Sequence, residues 1–299
     1  MNWKGVFPAV TTKFHPDHTL DLKKFQHNIE NQIQAGASGL ILGGTLGEAS
    51  VLSDAEKELL VGAAQEVVGK KIPILMNIAS QTTEAACEQV RLGEKNGLDG
   101  FMLLPPMRYL ADNAETLSYL TTVVRSTSLP FMIYNNPVDY RILVTLDMFE
   151  DLARLPNVIA VKESTRDVTN ITRMINRFGD RFSIFCGVDT IAMESLVMGA
   201  HGWVAGLVCA FPNETVTLFK LIEQGRYHEA RDLFRWFLPL LELDIHPKLV
   251  QYIKLAETLT GLGTETTRPP RLPIVGEERD MVTKIIMDAL VTRPALPKL

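Results

Sequence analysis

The sequence predicts an α/β fold, a (β/α)8 barrel with a C-terminal helical appendage. Two observations carry that expectation. Short apolar runs alternate with longer amphipathic stretches along most of the chain. One junction also recurs: Ala35-Gly36-Ala37-Ser38-Gly39-Leu40-Ile41, Asn96-Gly97-Leu98-Asp99-Gly100-Phe101-Met102 and Met198-Gly199-Ala200-His201-Gly202-Trp203-Val204 each read as a helix-ending glycine, a short turn and a buried strand. Repeated α-turn-β junctions imply repeated βαβ units, and therefore a parallel sheet.

The strands are expected at Val6–Thr11, Gly39–Leu42, Ile74–Ile78, Gly100–Leu104, Phe131–Tyr134, Val158–Lys162, Ser183–Cys186 and Gly202–Ala205. They are nearly unbroken in Val, Ile, Leu, Phe and Met, the pattern of strands buried on both faces. A set of eight favours a closed barrel over an open sheet. Between them, Leu22–Ala35, Ala55–Val68, Glu84–Asn96 and Leu146–Leu155 carry the 3.6-residue period of helices, and Ser53-Asp54-Ala55-Glu56 opens one with a capping box. After about Phe211 the strand signals stop. Glu214–Ile222 completes the eighth unit, and Tyr227–Leu241, Pro247–Thr258 and Glu277–Leu290 form the appendage, which divides the chain into a barrel over 1–224 and a helical region over 225–299. Thr267-Arg268-Pro269-Pro270-Arg271-Leu272-Pro273 reads as a stiff surface strap.

The 299 residues fit one large domain, with 46% hydrophobic and 22% charged residues, ordinary for a soluble globular protein. A net charge of −5 without a run of like charges points away from nucleic acid and anionic membrane surfaces. Cys87, Cys186 and Cys209 are far apart and follow no metal-ligand spacing, and the six histidines show none either, so neither a disulfide framework nor a metal site is expected. The N-terminus lacks a signal-peptide pattern, and no apolar run approaches the ~20 residues of a membrane span. A cytoplasmic protein is expected.

In such a barrel the chemistry sits at the C-terminal ends of the strands. Lys162 closes the apolar run Val158-Ile159-Ala160-Val161. Desolvation there would disfavour the ammonium and supply the neutral amine that attacks a carbonyl. Taken alone, the strand favours a blander reading, a lysine that pairs with a carboxylate or snorkels outward. Tyr134 ends the preceding strand and could shuttle a proton to a neighbouring lysine, although half-buried strand tyrosines are common. The turn Gly43-Gly44-Thr45-Leu46-Gly47 can aim backbone N–H groups and the Thr45 hydroxyl at a carboxylate, but many glycine-rich strand ends are only turns.

In order, Gly5-Val6-Phe7-Pro8-Ala9-Val10-Thr11-Thr12, the GxxGE turn ending at Glu48, the YNxP segment at Tyr134, the VKES segment at Lys162 and the Gly187-Val188-Asp189 strand end resemble the dihydrodipicolinate synthase/N-acetylneuraminate lyase family of class I Schiff-base enzymes. The resemblance spans essentially the whole chain and turns the reading of Lys162 towards function. It implies that Lys162 is the imine-forming nucleophile, Tyr134 the general acid/base, and Thr45 a third catalytic residue. Thr45 and the backbone N–H of Leu46, with Gly44 in the same turn, would hold the substrate carboxylate, and Gly187 and Val204 would line the pocket. It further implies a small-molecule 2-oxo acid substrate, no cofactor and a homotetramer built as a dimer of dimers.

The chain departs from the synthase pattern in ways that bear on the substrate. Thr45-Leu46 stands where synthases carry two threonines. Asp139 stands where they carry an arginine for the incoming aldehyde's carboxylate, with Arg141 the nearest arginine, so Asp139 and Arg141 are the expected contacts of the substrate's second half. The tyrosine that synthases donate across a dimer should fall near Met107-Arg108-Tyr109. A carboxylate at Asp139 repels a carboxylated second substrate, which argues against dihydrodipicolinate synthesis. The tail segments Arg235-Trp236-Phe237-Leu238-Pro239-Leu240-Leu241 and Pro247-Lys248-Leu249-Val250-Gln251 are similar to a subgroup resembling 1-pyrroline-4-hydroxy-2-carboxylate deaminases. The rival expectations are a pyruvate-dependent aldolase acting on a 2-keto-3-deoxy sugar acid or N-acetylneuraminate, a dihydrodipicolinate synthase (4-hydroxy-tetrahydrodipicolinate synthase), and a non-catalytic metabolite-binding barrel.

Overall fold

The structure, a computed structural model, describes residues 3–106 and 109–299. Eight parallel strands run in the order β1-β8-β7-β6-β5-β4-β3-β2: β1 Gly5–Pro8, β2 Leu40–Leu42, β3 Ile74–Ile78, β4 Gly100–Leu103, β5 Phe131–Asn135, β6 Val158–Glu163, β7 Ser183–Cys186 and β8 Gly202–Ala205. The ring closes between β1 and β2, where Ala9 bridges Ile41 in parallel, Val10 N–H donates to Ile41 O at 2.9 Å, and Ser38 N–H donates to Val6 O at 2.8 Å. Inward-facing Phe7, Ile41, Leu75, Met102, Met132, Ala160, Phe185 and Val204 fill the interior, with Phe7 and Phe185 meeting edge to face at 5.0 Å. The barrel is therefore a packed core and not a pore.

The helices on the outside are α1 Leu22–Ala35, α2 Asp54–Val68, α3 Thr83–Lys95, α4 Asn113–Val124, α5 Pro137–Tyr140, α6 Leu146–Leu152, α7 Thr169–Phe178, α8 Ala192–Val197 and α9 Pro212–Glu223. Their ends follow from local chemistry. Asp21 caps the first turn of α1 by accepting from Lys24 N–H, and Gly36 ends it in the left-handed conformation at φ 103°. The Ser53–Glu56 capping box opens α2, with both of its hydrogen bonds formed. Helix α6 stops at Leu152, short of the expected Leu155, because Pro156 disfavours helical geometry at the residue before it.

The first strand is also shorter than expected, ending at Pro8 instead of Thr11. Ala9 and Val10 still hydrogen-bond to the neighbouring strands, and beyond them the chain leaves the ladder to make side-chain contacts: Thr11 Oγ1 donates to Glu257 Oε1 at 2.5 Å and Thr12 Oγ1 to Gly47 O at 2.7 Å. Lys13 Nζ pairs with Glu257 at 2.8 Å, both side chains fully buried.

Three helices follow the barrel, α10 Tyr227–Leu241, α11 Leu249–Leu259 and α12 Gly276–Val291. Phe237, Leu241, Ile253 and Val282 pack into one cluster with Val6, Trp203 and Ala205 of the barrel strands. A second buried ion pair joins Lys254 of α11 to Glu48 of the turn after β2, at 2.7 Å with both side chains at 0% exposure. The segment over 267–273 is more than a surface strap. Arg268 donates to Glu56 at 2.5 and 2.9 Å, its backbone N–H donates to Glu48 Oε2 at 3.1 Å, and Thr267 is buried. Among the described residues no helix is long and apolar enough to cross a membrane.

Candidate active site

A cavity of about 780 Å³ opens at the C-terminal ends of the strands. Lys162 near the end of β6 and Tyr134 near the end of β5 are direct register partners, so strand pairing alone sets them side by side. The Lys162 Nζ lies over the Tyr134 ring, 4.1 Å from its centroid, and makes no hydrogen bond among the described residues. Burial pulls its ammonium below the usual lysine range, opposed by the charges of Tyr140, Asp244 and Asp189. A buried amine with an aromatic neighbour and no fixed acceptor is suited to nucleophilic attack on a carbonyl.

Tyr134 is held from its own loop. Its hydroxyl accepts from Asn136 Nδ2 at 3.0 Å, and Asn136 Nδ2 also donates to Asp139 Oδ2 at 2.7 Å. Burial drives the Tyr134 phenol up to about 12, so it holds its proton at neutral pH. The room for Lys162 comes from Gly187 at the end of β7. A Cβ there would stand 2.6 Å from Lys162 Cε and 2.1 Å from Ser164 Oγ.

The structure adds residues that sequence reasoning missed. Asn136 caps the single turn of α5, with Pro137 at its first position, and this turn folds Tyr140 back over the site. The Tyr134 and Tyr140 rings meet edge to face at 5.6 Å, and the Tyr140 and Thr45 hydroxyls lie 3.0 Å apart. Thr45 and Tyr140 thus set two hydroxyl groups in hydrogen-bond contact beside the Tyr134 ring, all three residues in the lining of the cavity. The Asn-Pro pair could have announced this turn. Of the segment expected to hold a second tyrosine, Met107 and Arg108 lie outside the described residues, and Tyr109 is 55% exposed on this chain.

Asp189, one residue beyond Val188 at the end of β7, is wholly buried. Its carboxylate accepts from Trp203 Nε1 at 2.8 Å and Leu207 N–H at 2.9 Å, tying β7 to the end of β8. Burial raises its pKa, opposed first by the Leu207 backbone hydrogen bond. Asp244, from the turn Glu242–Ile245 after α10, also lines the cavity. Nothing in its local sequence marks it.

Of the expected residues, Gly44, Thr45, Leu46, Tyr134, Asp139, Lys162, Gly187 and Val204 all line this one cavity. Leu46 is 4% exposed and its side chain packs in the core cluster behind the turn. Asp139 also faces Arg166 at 3.8 Å. Arg141 is not brought in: it ends α5 in the left-handed conformation at φ 63° and is exposed, outside the cavity lining. The arginines that do line the cavity are Arg166 and Arg271. Among the described residues no three His, Cys, Asp or Glu side chains converge as a metal site would require.

Comparison with known proteins agrees with the fold. A 4-hydroxy-tetrahydrodipicolinate synthase of Exiguobacterium sibiricum is 29% identical over 276 residues, 91% of this chain and 92% of that one. The solved 4-hydroxy-tetrahydrodipicolinate synthase of Methylacidiphilum fumariolicum superposes with a TM-score of 0.89 at 27% identity, covering 97% of each chain. A dihydrodipicolinate synthase of Bacillus anthracis gives 0.91 at 25% identity, covering 96% of this chain and 98% of its own. Residues 2–289 match the family described as the dihydrodipicolinate synthetase family. A (β/α)8 barrel that ends in a buried lysine and tyrosine, matched over nearly its whole length, belongs to that family and is a class I Schiff-base lyase.

Proposed function

We propose that this lyase deaminates 1-pyrroline-4-hydroxy-2-carboxylate, with Lys162 as the imine-forming amine. The observation that carries the reading is the pairing of Lys162 with Tyr134 in a cavity whose lining includes Asp139 and Asp244. Acidic groups there oppose a substrate whose far end is a carboxylate and suit one that ends in a hydroxyl or amine. Thr45 and the backbone of Gly44 and Leu46 receive the C2 carboxylate, while Gly187 and Val204 bound the pocket beside the lysine.

The chemistry balances on these residues. The Lys162 amine attacks C2, the C2–N1 bond breaks, and the ring nitrogen leaves as the C5 amine after taking a proton delivered through Tyr134. Loss of a C3 proton gives the enamine, which expels the C4 hydroxyl as water. Loss of one C5 proton and one proton of the amine, with protonation at C3 and C4, converts the C5 amine to an imine. Two waters then hydrolyse the C5 and C2 imines, releasing ammonia, the semialdehyde 2,5-dioxopentanoate and free Lys162. The net reaction is pyrroline plus one water to semialdehyde plus ammonia.

The relatives' names favour a second reading, condensation of a 2-oxo acid with an aldehyde as in 4-hydroxy-tetrahydrodipicolinate synthesis. Pyruvate-dependent aldol cleavage is the third. A substrate panel with coupled detection of ammonia and pyruvate separates them. Ammonia release from the pyrroline, lost in Lys162→Ala, supports deamination; no ammonia removes it. The working assembly under the same reading is the cytoplasmic homotetramer that the family resemblance implies. Light scattering on the purified protein tests its size.

A further inference from the structure

The cavity wall supplied by the C-terminal region contains an acid with nothing to bind. Asp244, Ile245, His246 and Pro247 all line the cavity. Asp244 Oδ1 is shut off from solvent and accepts no hydrogen bond among the described residues. It comes in close because residue 206, just past β8, is a glycine: a Cβ there would stand 2.2 Å from that oxygen. Asp244 lies within range of the Lys162, Tyr134 and Asp189 charges. Burial pushes its carboxyl well above the ordinary range, Asp189 adds to the rise, and Lys162 opposes it.

The other charged groups of the cavity are answered within the protein. Arg166 faces Asp139 at 3.8 Å, Arg271 faces Glu48 at 4.0 Å, and Asp139 accepts from Asn136 at 2.7 Å. Among the cavity's carboxylates, Asp244 alone is left without a donor among the described residues; the buried Asn77 Oδ1 and Ser164 Oγ in the same lining are unpartnered too, but carry no charge. A desolvated oxygen without a donor is costly, and here it belongs to a residue of the cavity lining. A donor that arrives with the substrate would offset it.

We propose that Asp244 is a substrate-binding residue that accepts a hydrogen bond from a hydroxyl or ammonium group at the far end of a 2-oxo acid joined at C2 to Lys162. The same residue selects against a carboxylate at that end. This rests on Lys162 forming the imine, and it extends that reading to the substrate's distal half. The ligand class is a five-carbon 2-oxo acid, or the cyclic imine derived from one, with a donor at C4 or C5.

Borohydride trapping on Lys162, followed by intact-mass measurement, tests the inference on the whole protein. Pyruvate is the first probe, 5-hydroxy-2-oxopentanoate the second and 2-oxoglutarate the third. The last two share five carbons and differ at C5 in a hydroxyl against a carboxylate. The wild type is expected to reach half-maximal labelling with the hydroxy acid at a concentration at least about 10-fold lower than with 2-oxoglutarate. In Asp244→Asn the gap should fall to within about 3-fold, each probe being referred to the pyruvate labelling of the same variant, since the loss of the Asp244 charge also acts on Lys162. Asp244→Ser serves as the second variant if the first fails to fold. A purely structural Asp244 would lower the melting temperature and leave the preference intact, which overturns the proposal. So does a wild type without preference. Absence of any pyruvate adduct overturns the imine reading and this inference with it, whereas an adduct without preference overturns only the role of Asp244.

Discussion

Substituting Gly187 by alanine probes the nucleophile without touching it. The added methyl would lie 2.6 Å from Lys162 Cε and 2.7 Å from Cγ, where non-bonded carbons prefer at least about 3.5 Å. Lys162 must therefore move by about 0.9 Å. Displacement of a reacting group by about 1 Å costs on the order of 10²-fold in rate, about 2.7 kcal/mol of barrier. Overpacking adds about 1–3 kcal/mol of lost stability. We expect kcat to fall about 10²-fold, with borohydride labelling by pyruvate slowed in parallel and secondary structure retained. Steady-state kinetics, labelling rates and urea unfolding of the same preparations measure the three. A kcat within about 3-fold of wild type would refute the claim that this glycine sets the lysine's position.

Removing the Tyr140 hydroxyl with Tyr140→Phe keeps the ring against Tyr134 but breaks the 3.0 Å contact with Thr45; kcat should drop about 10²-fold, the scale of a lost proton-transfer group, while the Lys162 adduct still forms by mass. Lys254→Met takes from buried Glu48 its 2.7 Å cation and leaves only Arg271 at 4.0 Å, so urea unfolding should show a loss of about 3 kcal/mol, with the Glu48→Gln/Lys254→Met pair losing less than the single variant. Glu56 is held down to about 2, chiefly by its hydrogen bond to Arg268, below its ordinary 4.5. A depressed carboxylate contributes stability above its unfolded pKa and loses it as pH falls through the folded one. Between pH 4.5 and about 2 the wild type should therefore lose about 1–2 kcal/mol more than Glu56→Gln, an amount reduced for solvent screening at this surface site.

The barrel was readable because both faces of every strand are buried, which writes each one as an apolar run, and because glycines such as Gly36 mark the helix ends. Helix α1 matches at both boundaries for that reason. Lys162 and Tyr134 stood out by the same logic, as polar residues where an apolar run stops. The rest depends on partners remote in sequence. Thr11 looks like one more strand residue until Glu257, 246 positions away, draws it out of the ladder. Asp244 sits in a turn of the tail with no strand pattern around it, and only the folded chain brings it against Gly206. Arg141 was chosen by proximity in sequence, and a single left-handed residue sends it outward.

The ion pairs Lys13–Glu257 and Lys254–Glu48 have a consequence for how such enzymes can be re-engineered. Both cross from the strand ends to the last third of the chain, and both are sealed from water. A chain stopped after residue 224 would leave Lys13 and Glu48 as uncompensated charges in a dry interior and would open the cavity where Asp244 now stands. The tail is thus no detachable module: swapping it between homologues would carry along half of two electrostatic couples, and only exchanges that bring matching residues on both sides should yield a folded catalyst.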